Sequence, residues 1–259
     1  MKYFKKSLGQ NFLIDKNIIN KILKMVKIRN KNIIEIGPGR GALTDEIIKM
    51  KPKKLVLIEK DNSLVEKLKF RYYEDKRINV INYDILKFDL EKLLNKNYII
   101  FGNLPYNISS QIFVKLIRLN WPPIFKDLVL MFQKELGEKI LGKFSSSNYG
   151  RLSILSNYRL NAVDKFLVSP NSFFPKPKVN SLVIHFQPRM KMSFKIKKIE
   201  NLEKVTNVLF SNKRKMINKS IKKLICTKKL KKIKNLKLSL RPSEIKPEIY
   251  YKITELIER

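Results

Sequence analysis

The sequence predicts a doubly wound α/β domain followed by a small all-helical domain, and three observations carry that prediction. Short apolar segments rich in β-branched residues recur at 32–36, 55–58, 78–82 and 98–101. Three of the eight glycines, Gly37, Gly39 and Gly41, fall within five residues, between the first segment and a helical pattern. Beyond about residue 190 the strand signals stop, and Lys-rich sequence with helical apolar spacing takes over.

Asn32-Ile33-Ile34-Glu35-Ile36 reads as a buried strand, Gly37-Pro38-Gly39 as a sharp turn, and Ala42 to Ile48 as a helix. Strand, glycine turn and helix open a Rossmann-like nucleotide-binding sheet, whose ligand sits outside the carboxyl ends of the strands. The second strand, Leu55 to Ile58, ends in Glu59, 20 residues past Gly39, where such folds place an acid that accepts from ribose hydroxyls. The third, Ile78 to Asn82, runs into Asp84, a carboxylate able to accept from an adenine amino group. A tight turn that needs positive φ would also explain the glycines, and a dinucleotide ligand stays open. The spacing is G-x-G-x-G preceded by Glu35, however, where the dinucleotide fingerprint is G-x-G-x-x-G. An acid there repels a pyrophosphate but suits a ligand with a cationic amino-acid end, such as S-adenosylmethionine.

A fourth strand, Tyr98 to Phe101, leads into Gly102-Asn103-Leu104-Pro105-Tyr106-Asn107. Asn-Leu-Pro-Tyr at a strand end resembles the motif of amino-methyltransferases, and its chemistry follows from the residues. An exocyclic adenine amine is a poor nucleophile because its lone pair is delocalised into the ring. The Asn103 side-chain oxygen and the Leu104 carbonyl can accept its two N–H protons, Pro105 fixes the local φ, and Tyr106 offers a stacking face. Nitrogen and methyl carbon held in line, roughly 3–3.5 Å apart, then permit displacement at a sulfonium without a metal. An ordinary turn is the alternative for this tetrapeptide alone, because Asn and Pro are turn residues.

Several segments together resemble the ribosomal RNA adenine N6,N6-dimethyltransferase family of the kasugamycin-sensitivity type. They are Leu8-Gly9-Gln10-Asn11-Phe12-Leu13, Glu35 to Thr44, Glu59, Asp84, Asn103 to Tyr106, Tyr149-Gly150-Arg151-Leu152-Ser153, and Phe173-x-Pro175-x-Pro177-Lys178-Val179. The resemblance spans nearly the whole chain. It implies methylation of two adjacent adenines near the 3′ end of small-subunit (16S) rRNA, on a partly assembled 30S particle. It implies cofactor contacts at Asn11, Leu13, Gly37, Glu59, Asp84 and Asn103. Gln10, Glu35 and Gly39, in the same segments, and Ile85, next to Asp84, complete the candidate cofactor set. Phe173 matches the aromatic that closes the other face of the target base, opposite Tyr106; core packing beside Pro175 and Pro177 is the alternative for Phe173 and Phe174. Ser211-Asn212-Lys213-Arg214-Lys215 departs from a more usual Asn-Gln-Arg-Arg-Lys but keeps the basic cluster, so Lys213, Arg214 and Lys215 are the candidate RNA contacts.

Charge agrees with an RNA substrate. Lys and Arg number 56 against 22 Asp and Glu, a formal +34 that attracts polyanions. A Lys-rich codon bias would also raise this number, but residues 189–259 alone hold 22 basic and 6 acidic residues, net +16. The expected boundary gives a catalytic domain at 1–189 and a basic helical RNA-binding domain at 190–259. Within the first, 109–119 reads as a helix, 127–133 and 180–186 as strands, and 143–148 as a polar loop. Arg151 can pair with a phosphate or with an internal carboxylate, and the apolar neighbours Leu152, Ile154 and Leu155 favour the internal role. In the second, the apolar positions 202, 205, 208 and 209, then 217, 221, 224 and 225, have helical spacing, and Pro242 is expected to begin a final helix.

One His and one Cys cannot supply a zinc site of the usual ligand counts, which removes a zinc-dependent deaminase. His185, inside an alternating strand, reads as structural, and the lone Cys226 points to a reducing compartment. No run approaches 18 apolar residues and the first motif begins by Leu8, so a cytoplasmic protein with no membrane partner is expected. Nothing requires a dimer, and a monomer is expected. Among related functions, the large-subunit rRNA methyltransferases of macrolide resistance share Asn-x-Pro-Tyr, whereas the 8–13 and 149–153 segments favour the small-subunit enzymes. A nonenzymatic assembly factor would be signalled by loss of Asn103 or Tyr106, and both are present. A DNA adenine methyltransferase more often carries an acid in place of Asn103.

Overall fold

The computed structural model describes residues 11–93, 96–231, 233 and 236–259. In chain order the elements are β1 (Phe12–Leu13), α1 (Lys16–Lys24), β2 (Asn32–Ile36), α2 (Ala42–Lys49), β3 (Lys54–Glu59), α3 (Asn62–Arg71), β4 (Ile78–Asn82), β5 (Tyr98–Asn103), α4 (Ser109–Arg118), β6 (Phe125–Gln133) and α5 (Lys134–Ile140). There follow α6 (Arg151–Arg159), β7 (Leu160–Val168), β8 (Phe173–Phe174), β9 (Ser181–Pro188), α7 (Ile199–Phe210), α8 (Asn218–Lys222), α9 (Thr227–Leu230) and α10 (Pro247–Ile257). Of the described residues, those from 11 to 137 pack with Ala162–Pro188 as one unit, and those from 138 to 161 pack with those from 189 to 259 as a second.

Seven strands form one sheet in the order β4-β3-β2-β5-β6-β9-β7, and β1 pairs with β8 separately. β4, β3, β2, β5 and β6 are mutually parallel, while β9 runs antiparallel to β6. The chain leaves β2 on one side for β3 and β4, then crosses back to β5 on the other. That reversal opens a crevice at the carboxyl ends of β2 and β5, where α/β sheets bind ligands.

Register explains the core. Ile33 stands level with Leu55 and Ile99, so alternate positions share a face across three strands. Ile33, Leu55, Leu57, Ile99, Phe101, Val129 and Met131 are buried together with Ile19, Ile22 and Leu23 of α1 and Leu43 and Ile47 of α2. Glu35 belongs to the same face, which places a carboxylate inside an apolar layer. On the opposite face Phe113 of α4 lies 5.6 Å from Phe132 and 5.5 Å from Phe186, centroid to centroid. Each fully buried aliphatic or aromatic side chain contributes about 1.5–3 kcal/mol of transfer free energy, so this two-sided layer is the chief support of the strand ends.

Within the second unit, tyrosine hydroxyls tie α6 and the segment before it to the C-terminal elements. Tyr149 donates to the Ile245 carbonyl at 2.8 Å, Tyr251 to Ile154 at 3.1 Å, and Tyr250 to Pro242 at 2.7 Å. Arg151 does not take the internal role expected of it: it is exposed at the first turn of α6, and the buried arginine of that helix is Arg159, 7% exposed. Pro242 opens only a 3₁₀ turn to Glu244. The final helix begins at Pro247, because the residue before a proline is pushed out of the helical region, and Lys246 is extended at ψ 147°.

Candidate active site

The carboxyl ends of β2, β3 and β5 and the residues just past β4 converge on one cleft of about 1420 Å³, counted to its open mouth. Asn11, Leu13, Glu35, Gly37, Gly39, Glu59, Asp84, Ile85, Asn103, Leu104, Pro105 and Tyr106 all line it. Residues far apart in the chain are thus brought together as the motifs imply. Gln10 lies outside the described residues. Phe173 does not join the lining. It stands level with Leu13 in the β1–β8 pair and is buried in the core at 3% exposure, whereas Phe174, on the other face of the strand, is 52% exposed. In this structure Phe173 is therefore a core ring, buried in the same cluster as Leu13, and not a wall of the cleft.

The glycine turn is shaped by its neighbours. Gly37, Gly39 and Gly41 all have positive φ, at 67°, 59° and 83°. At Gly39 two further constraints apply: a Cβ would stand 2.9 Å from the Phe12 ring, and the Gly39 N–H donates to Glu59 Oε2 at 3.1 Å. Glu59 Oε1 accepts from the N–H groups of Lys60 and Asp61 at 2.9 and 3.0 Å. The 20-residue spacing between Gly39 and Glu59 thus has a local meaning, since the carboxylate braces the turn. An ionised carboxylate offers about four acceptor positions, so three backbone bonds leave Glu59 about one for a ligand. Burial raises its pKa against those three bonds.

Glu35 is 2% exposed and accepts from Thr44 Oγ1 at 2.7 Å. Burial pushes its carboxyl up to about 8; the Thr44 bond opposes the shift, and the nearby Asp45 and Glu59 add to it. At neutral pH Glu35 is mostly protonated until a cation arrives. Asp84 is different. Its Oδ2 pairs with Lys60 Nζ at 2.9 Å and its Oδ1 accepts from the Leu86 N–H at 2.9 Å, and the Lys60 ammonium holds it below the usual carboxylate range despite partial burial.

At the end of β5, Asn103 Nδ2 donates to the Asn11 carbonyl at 2.9 Å. A carbonyl can only accept, so the side-chain amide is fixed with its oxygen on the other side. Tyr106 is held from its far end: its hydroxyl lies 2.6 Å from Oγ of Ser181, a fully buried side chain, and its carbonyl accepts from Ser109 Oγ at 3.1 Å. Sequence reasoning missed Ser181, Thr44 and Lys60 as supports. Only Lys60 carried a signal, its adjacency to Glu59.

The profile of the Ribosomal RNA adenine dimethylase family matches residues 1–258. The chain belongs to that family. Ribosomal RNA small subunit methyltransferase A of Pelagibacter ubique is 43% identical over 256 residues, 98% of this chain and 97% of that protein. The protein of the same name from Mycoplasmopsis synoviae is 42% identical over 233 residues, 89% and 86% of the two chains. Among solved structures, a dimethyladenosine transferase from Plasmodium falciparum superposes with a TM-score of 0.76 at 28% identity, over 93% of this chain and 95% of the other. The 23S rRNA methyltransferase ErmE shares the fold, with a TM-score of 0.71 at 22% identity over 96% and 100% of the chains. As a member of the adenine dimethylase family the chain is a ribosomal RNA methyltransferase.

The rest of the sequence-derived set lies elsewhere. Lys213, Arg214 and Lys215 sit on an exposed turn between α7 and α8. His185 Nε2 lies 2.8 Å from Asp127 Oδ1, which also accepts from Gln187 at 2.9 Å, so the single histidine is part of a buried polar network in the sheet. No group of three or more His, Cys, Asp or Glu among the described residues is arranged to hold a metal. Among them, too, no helix is long and apolar enough to cross a membrane.

Proposed function

We propose that the cleft binds S-adenosylmethionine and that the enzyme methylates N6 of two adjacent adenines near the 3′ end of small-subunit rRNA, giving N6,N6-dimethyladenosines. The observation that carries this reading is the fixed Asn103 amide, whose free oxygen stands in the same cleft as the glycine turn. The cleft fits the donor on its own chemistry. Gly39, at positive φ and packed against the Phe12 ring with no room for a Cβ, keeps the turn tight where it lines the cleft. Glu59 keeps an acceptor position for a ribose hydroxyl, Asp84 offers a carboxylate to an adenine amine, and the buried Glu35 gains a partner in an α-ammonium.

When bound, S-adenosylmethionine supplies an electrophilic methyl group on a sulfonium. The chain does the rest by positioning. Asn103 Oδ1 and the Leu104 carbonyl accept the two N–H protons of the target amine and so draw its lone pair out of conjugation. Tyr106, anchored at its hydroxyl, presents a ring face to the base. One N–H proton must leave as each methyl arrives. Solvent at the open mouth of the cleft can take it.

The same reading gives residues 1–189 the catalytic role and residues 190–259 an RNA-binding role, with Lys213, Arg214 and Lys215 on phosphates. Its substrate is 16S rRNA in an immature 30S particle, its setting the cytoplasm, and its working form a monomer that also serves as an assembly checkpoint. Incubation with labelled S-adenosylmethionine and small subunits from an unmethylated strain, followed by mapping of the modified nucleotides, tests the reaction. Label on two neighbouring adenines near the 3′ end is expected; label only on other nucleotides, or none at all, would overturn it. Charge reversal at Lys213, Arg214 and Lys215 is expected to flatten the log–log salt dependence of RNA binding by roughly 0.7–0.9 per lost phosphate contact.

A further inference from the structure

We propose that the amino-terminal edge of the sheet, at the opposite ends of the strands from the cleft, is a second RNA-backbone site that grips a distant stretch of the same rRNA. Two turns build it. Residues 27–31 and 49–54 hold seven Lys or Arg and no acid in eleven positions, against 56 in 259 for the whole chain. That is about three times the chain average, more than a uniform lysine bias gives. The two turns are locked side by side by Asn30 N–H to the Lys51 carbonyl at 3.0 Å and Lys53 N–H to the Lys31 carbonyl at 2.8 Å. Between them lies a shallow concavity floored by the buried Ile28.

Lys27, Arg29, Lys31, Lys49, Lys51, Lys53 and Lys54 are all exposed. Among the described residues, the acidic side chain that pairs with any of them is Glu46, on Lys49 at 2.6 Å. So many like charges on rigid turns repel one another, and a polyanion relieves that repulsion. The apolar side chains of the concavity, Ile28 and Met50, are buried and half-buried, so neither stands out to insert into a bilayer, which favours a phosphate backbone over a lipid surface.

Distance then specifies the RNA. β2 runs five residues from this edge to the cleft, about 17 Å at roughly 3.3 Å per residue. A nucleotide in the cleft and a phosphate at this edge therefore belong to separate parts of a folded RNA, so the site selects a large structured substrate over a short one. The inference rests on the reading of the cleft as an rRNA methylation site.

Its test uses the full chain carrying Arg29→Glu, Lys31→Glu and Lys53→Glu. Equilibrium binding is measured on a transcribed 3′ domain of small-subunit rRNA and on a short hairpin that contains the target adenines, and wild-type turnover on immature small subunits from an unmethylated strain. For the domain, affinity is expected to fall on the order of tenfold and the log–log salt slope to flatten by up to about 2.7 for three contacts. Hairpin affinity is expected to stay at the wild-type value. Unchanged affinity and slope on the domain would overturn the site, as would binding that moves only to anionic phospholipid vesicles. Should the glutamates lower the melting temperature, Arg29→Gln, Lys31→Gln and Lys53→Gln remove the charges without adding new ones and are read in the same way. Failure of wild-type protein to methylate the immature small subunits would refute the reading of the cleft, while the binding comparison still decides the edge.

Discussion

The side-chain amide of Asn103 donates to the main-chain carbonyl of Asn11, 92 residues earlier, at 2.9 Å. One bond thus joins the β1 segment to the end of β5 and decides which way the amide faces. Asn103→Asp removes the donor and sets a carboxylate against that carbonyl. Turnover is expected to fall on the order of 10²–10³-fold, the range seen when one oriented polar group is lost from a reaction site. Single-turnover kinetics at saturating donor measure it, and wild-type turnover in Asn103→Asp would show that the Asn11 carbonyl does not orient the residue.

The Tyr106–Ser181 bond makes a different prediction, because it touches neither donor nor base. Ser181→Ala leaves the phenol without its partner and the ring free to rotate. A neutral hydrogen bond contributes about 0.5–1.5 kcal/mol net, so a several-fold drop in kcat is expected with donor affinity unchanged. Tyr106→Ala should cost far more turnover than donor binding. A double-mutant cycle between Ser181→Ala and Tyr106→Phe should show coupling, and strict additivity would mean that Ser181 does not position the ring.

Local pattern made the parallel half of the sheet legible. β2 and β4 occupy the residues expected of them, because period-2 apolar runs bounded by turn residues admit little else. The glycine turn, Glu59 and the Asn103 corner were readable for the same reason, each being a short motif at a strand end. What pattern could not show is pairing across the chain. Ser181 meets Tyr106 over 75 residues and Asn11 meets Asn103 over 92, and nothing in either segment announces the other. β7 hid as well, since most of its residues are exposed and it lacks an inward-facing apolar row. Phe173 and Phe174 show the limit of motif reading: adjacent aromatics on a strand face opposite ways, and only the β1–β8 register decides which is buried.

Glu35 gives a pH dependence whose sign can be worked out. Its carboxyl titrates near 8 in the folded protein and near the ordinary carboxylate value when unfolded, so the folded state binds the extra proton between those limits. Stability is therefore undiminished below about 4.5, falls as pH rises through the window, and carries the full penalty above about 8. Glu35→Gln keeps an acceptor for Thr44 and removes the titration. The ligand-free variant is expected to melt higher than wild type at pH 8 to 9 and to lose the difference near pH 4.5. Calorimetry at pH 7 in buffers of different ionisation enthalpy should record proton release when wild type binds S-adenosylmethionine, and none from the variant. Equal release from both would take Glu35 out of the ammonium site.

Gly39→Ala separates two costs that coincide at one residue. At φ 59° an alanine sits in the left-handed region, a strain of about 1–3 kcal/mol, and its Cβ also stands 2.9 Å from the Phe12 ring. The ring is rigid and lies against the β1–β8 pair, so it gives way only by shifting Phe12 off the turn. Any such shift also disturbs the N–H that Gly39 donates to Glu59. Lower melting temperature and weaker donor binding are both expected in Gly39→Ala. Adding Phe12→Ala should restore part of the donor affinity by relieving the clash, while the backbone strain and the lost ring packing keep stability low. If Gly39→Ala binds donor as well as wild type, donor binding does not depend on the shape of the turn at Gly39.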